Sequence, residues 1–404
     1  MRQYMKNLSV VMLFSVLVLF AGNASAERDR SELPGFINNS YLGISFGMGY
    51  YGFGNDELNE PHVAKKVNSD QASGSVYLGH YFNEHLAFNL GLIRPLEWIK
   101  HEGLDNTDSN GSVRITLFTF TLRPTLKINR KLSVNGQGGL GYVSRKGIKK
   151  GGDIVIDNEE IVTFVTGAGL SYQLGKSWYA DTDIIYSLPR ENKSQPGILY
   201  TSFGIRHLLQ FQPDKKKIAD ETSSQKSSFP YRLIGIGGFT RDLFYWEPHE
   251  YFSPPNIPIF WIGDVKLSKG YYIMYEHNLY HTSRWFSFGW GARIAYWESN
   301  EQKESFSTYS LYPSFKIWLV RNKTFDLYVT YSAAGPTYIS KPVIDNINTG
   351  KHFTFQDFMG IGVFLGKDKR INIHSSIMHY SNGNIFPQNT GIAVPSTLAV
   401  GYSF

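Results

Sequence analysis

From about residue 40 onward, apolar and polar positions alternate with a period of two in segments of ten or more residues. Alternation of that length marks a strand that crosses a membrane, with one face toward lipid and the other toward a barrel interior. In residues 161–174 one face carries Val162, Phe164, Thr166, Ala168, Leu170, Tyr172 and Leu174. The other carries Thr163, Val165, Gly167, Gly169, Ser171 and Gln173, small and polar side chains that suit a narrow lumen.

The pattern predicts eight strands up to Phe211, at about 41–51, 72–83, 86–97, 112–128, 132–145, 161–174, 178–190 and 198–211. Short turns at 83–85, 129–131 and 175–177 alternate with long polar loops at 52–71, 98–111, 146–160 and 191–197, as in outer-membrane barrels with periplasmic turns and outer loops. Residues 212–228 have no periodic face and read as a polar linker. A second set of eight follows at about 231–241, 269–280, 284–298, 305–320, 324–340, 352–366, 370–381 and 394–404. Its short turns lie at 281–283, 321–323 and 367–369.

An even strand number returns each barrel's ends to one side of the membrane. Two tandem eight-stranded antiparallel transmembrane β-barrels joined by a periplasmic linker therefore need no extra crossing. The competing architecture, one sixteen-stranded barrel, is disfavoured because the linker is far longer and more polar than the other periplasmic turns. Phe211 and Phe404 each end a run of lipid-facing apolar residues, as closing strands do. The fold class is all-β, with a first barrel in 27–211 and a second in 229–404.

The chain opens differently. Arg2 and Lys6 precede an apolar core from Leu8 to Phe20, and Ala24-Ser25-Ala26 offers a small-residue cleavage site. Residues 1–26 are expected to be a signal peptide, cleaved near Ala26. With the barrels, it implies export to the outer membrane of a Gram-negative bacterium.

Composition narrows the possibilities. Aromatic residues make up 15% of the 404, charged residues 18%, and there are 39 glycines, in keeping with short strands and aromatic girdles. The net charge of +6 is spread along the chain and gives no argument for nucleic acid. Without cysteine, thiol catalysis, disulfides and Cys-bound metal are excluded. Gly136-Gln137-Gly138-Gly139-Leu140-Gly141 matches a dinucleotide-binding pattern, but it lies inside a β-period with no helix after it. No cofactor and no metal are expected.

Candidate chemistry lies in residues 370–392. Ile371, Ile373, Ser375, Ile377, His379 and Ser381 share a face, and its isoleucines make it the lipid-facing one. Ionisable residues there are costly and rare. Counting from the turn at 367–369, His379 stands about 25 Å up the strand, near the outer interface. That is the depth of the lipid A esters of lipopolysaccharide. A His and a Ser two apart on one strand suit a general base and a nucleophile. Asn382 and Gly383 follow as oxyanion donors.

The segment His379-Tyr380-Ser381-Asn382-Gly383, with Pro387-Gln388-Asn389-Thr390-Gly391-Ile392 after it, resembles the active-site strand and loop of the outer-membrane lipid A 3-O-deacylases of the PagL family. Phe355-Gln356-Asp357-Phe358-Met359-Gly360-Ile361-Gly362 is similar to that family's preceding strand. The resemblance covers about 231–404. It implies an eight-stranded barrel that hydrolyses the ester-linked 3-hydroxyacyl chain at position 3 of lipid A, without metal. Ser381 would be the nucleophile, His379 the base and Asn382 an oxyanion contributor.

In that family an acidic residue follows the Gly-Ile pair and orients the histidine; here the position is Ala393. The hairpin turn at 367–369 pairs residues whose numbers sum to about 736, which sets Asp357 opposite His379 as a substitute acid. The expected partners are lipid A or lipopolysaccharide as substrate, and outer-membrane lipid. Two rivals stand beside the hydrolase: a structural or adhesive barrel that retains the deacylase shape, and a narrow channel. The first barrel is similar only in general pattern to small barrels of the OmpX and OmpW type, and it carries no comparable constellation.

Overall fold

A computed structural model describes residues 35, 37–209, 229–243, 245–252, 262–282 and 285–404. The expected signal peptide and linker lie outside the described residues.

The first eight long strands close into one ring. They are β1 (Ser40–Tyr50), β2 (Asp70–Asn83), β3 (Leu86–Pro95), β4 (Gly111–Lys127), β5 (Leu132–Lys146), β6 (Glu159–Gln173), β7 (Trp178–Ser187) and β8 (Ile198–Leu209). Each pairs antiparallel with its sequence neighbours, and β1 pairs with β8 to shut the barrel. The second ring comprises β9 (Arg232–Thr240), β10 (Val265–His281), β11 (Phe286–Ser299), β12 (Ser305–Arg321), β13 (Phe325–Ile339), β14 (Phe353–Leu365), β15 (Ile371–Ser381) and β16 (Ile392–Ser403). It closes through β9 and β16. Two closed rings of eight replace the single sixteen-stranded alternative.

Exposed apolar side chains lie on the outer faces, such as Phe164, Phe203, Ile236 and Val400. The lumens are packed. In the first barrel Asp181 accepts from Arg206 Nε at 2.8 Å, from Tyr77 Oη at 2.9 Å and from Ser171 Oγ at 2.6 Å. Arg123 stands 3.6 Å from both Asp181 and Asp183. Asp181, Arg123 and Arg206 are each 1% exposed, so this network fills the interior rather than lining a channel. Removing Asp181 leaves Arg206 buried without its main counter-charge and Arg123 with Asp183 alone. Asp181→Ala is therefore expected to destabilise the first barrel by about 3–5 kcal/mol, checked by urea titration of refolded protein.

The glycines of the dinucleotide-like run sit inside β5. A Cβ on Gly139 would lie 2.1 Å from the Phe120 carbonyl oxygen, so this glycine allows close strand approach. The outer loops hold more order than their composition suggests: Lys66–Asn68 pairs with Ile99–Glu102, and Ile148–Lys150 with Asp153–Ile156. β10 also starts four residues earlier than its periodicity indicates. Past the end of β9, Val265 and Lys266 pair parallel with Ile392 and Ala393 of β16.

Candidate active site

The site is built on β13, β14, β15 and β16, with a short helix α1 (His249–Phe252) from the β9–β10 connection. β14 and β15 pair without a break from Leu365↔Ile371 to Phe355↔Ser381, the expected register. Asp357 is thereby opposite His379, and Asp357 Oδ2 lies 3.8 Å from His379 Nδ1. That is longer than a hydrogen bond. On its other side His379 pairs with Ala393. Positions 357 and 393 thus flank the same histidine from opposite strands, and the carboxylate stands on β14.

Asp357 is itself held. The pairing of β13 with β14 slips between Ser332 and Gly335, and Ala334 takes a φ of 55°. This bulge turns the Ala334 N–H onto Asp357 Oδ1 at 2.6 Å. The run Ala333-Ala334-Gly335-Pro336 was the available signal, because small residues and proline inside a strand mark a bulge.

Burial departs from expectation. His379 occupies the outer side of the wall but is 3% exposed, and Asp357 is 8% exposed. Residues 245–252 cover this patch. The Trp246 carbonyl accepts from the Ser396 N–H at 2.8 Å, and His249 Nε2 donates to the Met378 carbonyl at 2.9 Å. Here β16 carries Pro395, which has no N–H for the ladder, and its pairing with β15 shifts between Ser376 and Met378. The His249 donor reaches the Met378 carbonyl beside this irregularity. Burial pushes the His249 pKa down to about 4, so it is the neutral imidazole that donates. His379 therefore faces a protein-lined recess instead of bare hydrocarbon.

Ser381 is half-buried at the end of β15 and faces the same side as His379. Among the described residues no group hydrogen-bonds its Oγ, so the Ser381–His379 bond is not made in this conformation. The chain then turns through Gly383 and Asn384, with φ of 61° and 62°.

Asn382 differs from its expected role as an oxyanion donor. Its Nδ2 donates to the Thr349 carbonyl at 3.1 Å and to the Gln388 carbonyl at 2.5 Å, while its own N–H donates to Asn389 Oδ1 at 2.8 Å. At 0% exposure the carboxamide ties the loop together and is spent as a donor. Gly383 keeps its place as a donor candidate, since among the described residues nothing accepts its N–H.

Gly391 closes the recess. Its φ is 73°, and a Cβ there would lie 2.8 Å from His379 Nε2. Gly391→Ala is expected to strain the backbone and block that nitrogen, costing at least about 100-fold in turnover while the barrel still forms. Deacylation rates beside heat-modifiable gel migration would check this.

Among the described residues no group of three or more His, Asp or Glu side chains is placed to hold a metal ion. The chemistry on hand is that of Ser, His and a carboxylate.

Comparison with known proteins matches each barrel to a family. Residues 269–403 match the family model described as lipid A 3-O-deacylase (PagL), and residues 37–188 match that of the OmpA-like transmembrane domain. The deacylase match begins within β10, so residues 231–268 of the expected resemblance fall outside it. Among solved structures, the outer membrane enzyme PagL aligns at 16% identity over 43% of this chain and 98% of its own, with a TM-score of 0.31. The N-terminal barrel of OprF from Pseudomonas aeruginosa aligns at 14% over 43% and 98%, with a TM-score of 0.29. The attachment invasion locus protein Ail of Yersinia pestis, in complex with sucrose octasulfate, aligns at 15% over 42% and 99%, with a TM-score of 0.28. A search of curated proteins gave no match. The C-terminal part is thus a lipid A deacylase-like barrel, and the chain is a protein of the Gram-negative outer membrane.

Proposed function

We propose that the second barrel is a lipid A 3-O-deacylase working by a serine-hydrolase route. The observation that carries the reading is the cross-strand placement of Asp357 opposite His379, on the strand that ends in Ser381. Ser381 Oγ attacks the carbonyl carbon of the 3-hydroxyacyl ester, and its proton passes to His379 Nε2. The tetrahedral oxyanion takes the Gly383 N–H as donor. Collapse expels the sugar 3-oxygen, which receives the proton from His379, and leaves the acyl group on Ser381. Water, deprotonated by His379, then releases the 3-hydroxy fatty acid and restores the serine.

Asp357 is the positioning residue. It holds Nδ1–H toward itself so that Nε2 faces the serine, and it stabilises the imidazolium that forms. The pair must close by about 1 Å for a hydrogen bond, a tightening common when catalytic groups meet their substrate. The cover over His379 supports the same reading, because water exclusion strengthens each of these charge interactions. Mass spectrometry of lipid A from cells with and without Ser381 tests the proposal; unchanged lipid A would favour a structural or adhesive barrel that retains the deacylase shape.

A further inference from the structure

The first barrel carries a feature that its packed lumen does not explain. At the outer ends of β3, β4 and β5, three cations project from the lipid-facing side of the wall. Arg114 and Lys146 are direct cross-strand partners, and both are exposed. Arg94, half-buried on the adjacent strand, stacks on the Trp98 ring at 4.4 Å, and Arg114 lies 5.7 Å from the same ring. Below them on the same face are the exposed apolar residues Leu90, Phe120 and Leu140, so the cations cap the apolar band at the outer interface.

Like charges directly opposite on neighbouring strands repel, and a third cation adds to the cost. Among the described residues none of the three has a carboxylate within salt-bridge distance. Nearby acids are engaged elsewhere: Glu97 with Lys100 at 2.8 Å, Glu159 with Lys193 at 3.0 Å, and Glu160 with Lys351. Arg94 meets the Asn384 carboxamide oxygen at 3.1 Å when that amide is turned to satisfy both groups, but a neutral amide leaves the charge uncompensated.

We propose that Arg94, Arg114 and Lys146, with Trp98 as the platform that fixes the guanidinium planes, bind the phosphate of an outer-leaflet glycolipid headgroup. Phosphate fits because it supplies several acceptor oxygens and enough charge for three cations, and guanidinium forks engage it in bidentate fashion. A lipid headgroup is the source because the side chains point to the bilayer and not to the solvent-filled loops. Asn384 belongs to the turn that follows Ser381, so the headgroup site adjoins the candidate active site. In its link to catalysis, this inference rests on the proposed deacylase reading.

Binding is measured apart from catalysis. Full-length protein in mild detergent is mixed with bisphosphorylated lipid A, and bound lipid is counted by native mass spectrometry for wild type and for R94Q/R114Q/K146Q. The triple variant is expected to bind one lipid fewer per chain, with roughly tenfold or greater loss of affinity at that site. Phosphate-free lipid A is expected to reproduce the loss on wild type. An unchanged lipid count with unchanged salt dependence would overturn the proposal. Displacement by inorganic phosphate alone would overturn the lipid assignment. If the second barrel binds no lipid A, wild type holds one lipid and the variant none, so the two readings fail separately. Should the triple variant not fold, Arg114→Gln, which relieves the repulsion with Lys146, serves in its place. With bilayer substrate the variant is expected to raise KM and leave kcat unchanged.

Discussion

Cells producing Ser381→Ala are expected to retain the 3-hydroxyacyl chain that cells producing the wild type are expected to lose from lipid A. The expected effect is complete at the level of mass spectrometry, because removing a serine nucleophile from such a unit costs on the order of 10⁶ in turnover. The substitution deletes one oxygen from a half-buried residue at a strand end and no described hydrogen bond, so the barrel should assemble as before. That makes the variant a clean comparison. A single mass loss, equal to one hydroxyacyl group and dependent on Ser381, separates the hydrolase from a barrel that keeps only the shape. Equal lipid A profiles from both proteins, each confirmed in the outer membrane, would sink the enzymatic reading.

Much of this was legible because a barrel writes its structure locally. Each strand must show lipid to one side and lumen to the other, so alternation located all sixteen long strands. The tight turn at 367–369 then fixed the β14–β15 register, which is why Asp357 could be set against His379 beforehand. What remained hidden has no period. Residues 245–252 bury His379 through one carbonyl and one imidazole, contacts that no alternation encodes. The bulge at Ala334 breaks the period it would have to be read from. Asn382 misled for a related reason: a carboxamide beside a nucleophile is equally suited to donate to an oxyanion or to knit a turn, and only its partners decide.

The sharper test concerns the acid. Asp357→Asn preserves size and the Ala334 N–H contact but removes the charge facing His379 Nδ1, so deacylation is expected to fall by about 10³–10⁴-fold. Position 393 flanks the same histidine from β16, so a carboxylate placed there should do the same work. Ala393→Glu in the Asp357→Asn background is therefore expected to recover at least tenfold of the loss. Full recovery is not expected. Ala393 is 0% exposed and sits beside Lys266, which already pairs with Glu247, so a new glutamate meets a lysine competing for its charge. Initial rates with purified lipid A in mixed micelles, across pH, would follow both variants. If Asp357→Asn keeps wild-type activity, Asp357 is structural and His379 needs no acid from β14. If it is inactive and Ala393→Glu restores nothing, the two flanks are not equivalent, and the geometry of the Ala334 bulge is required along with the charge.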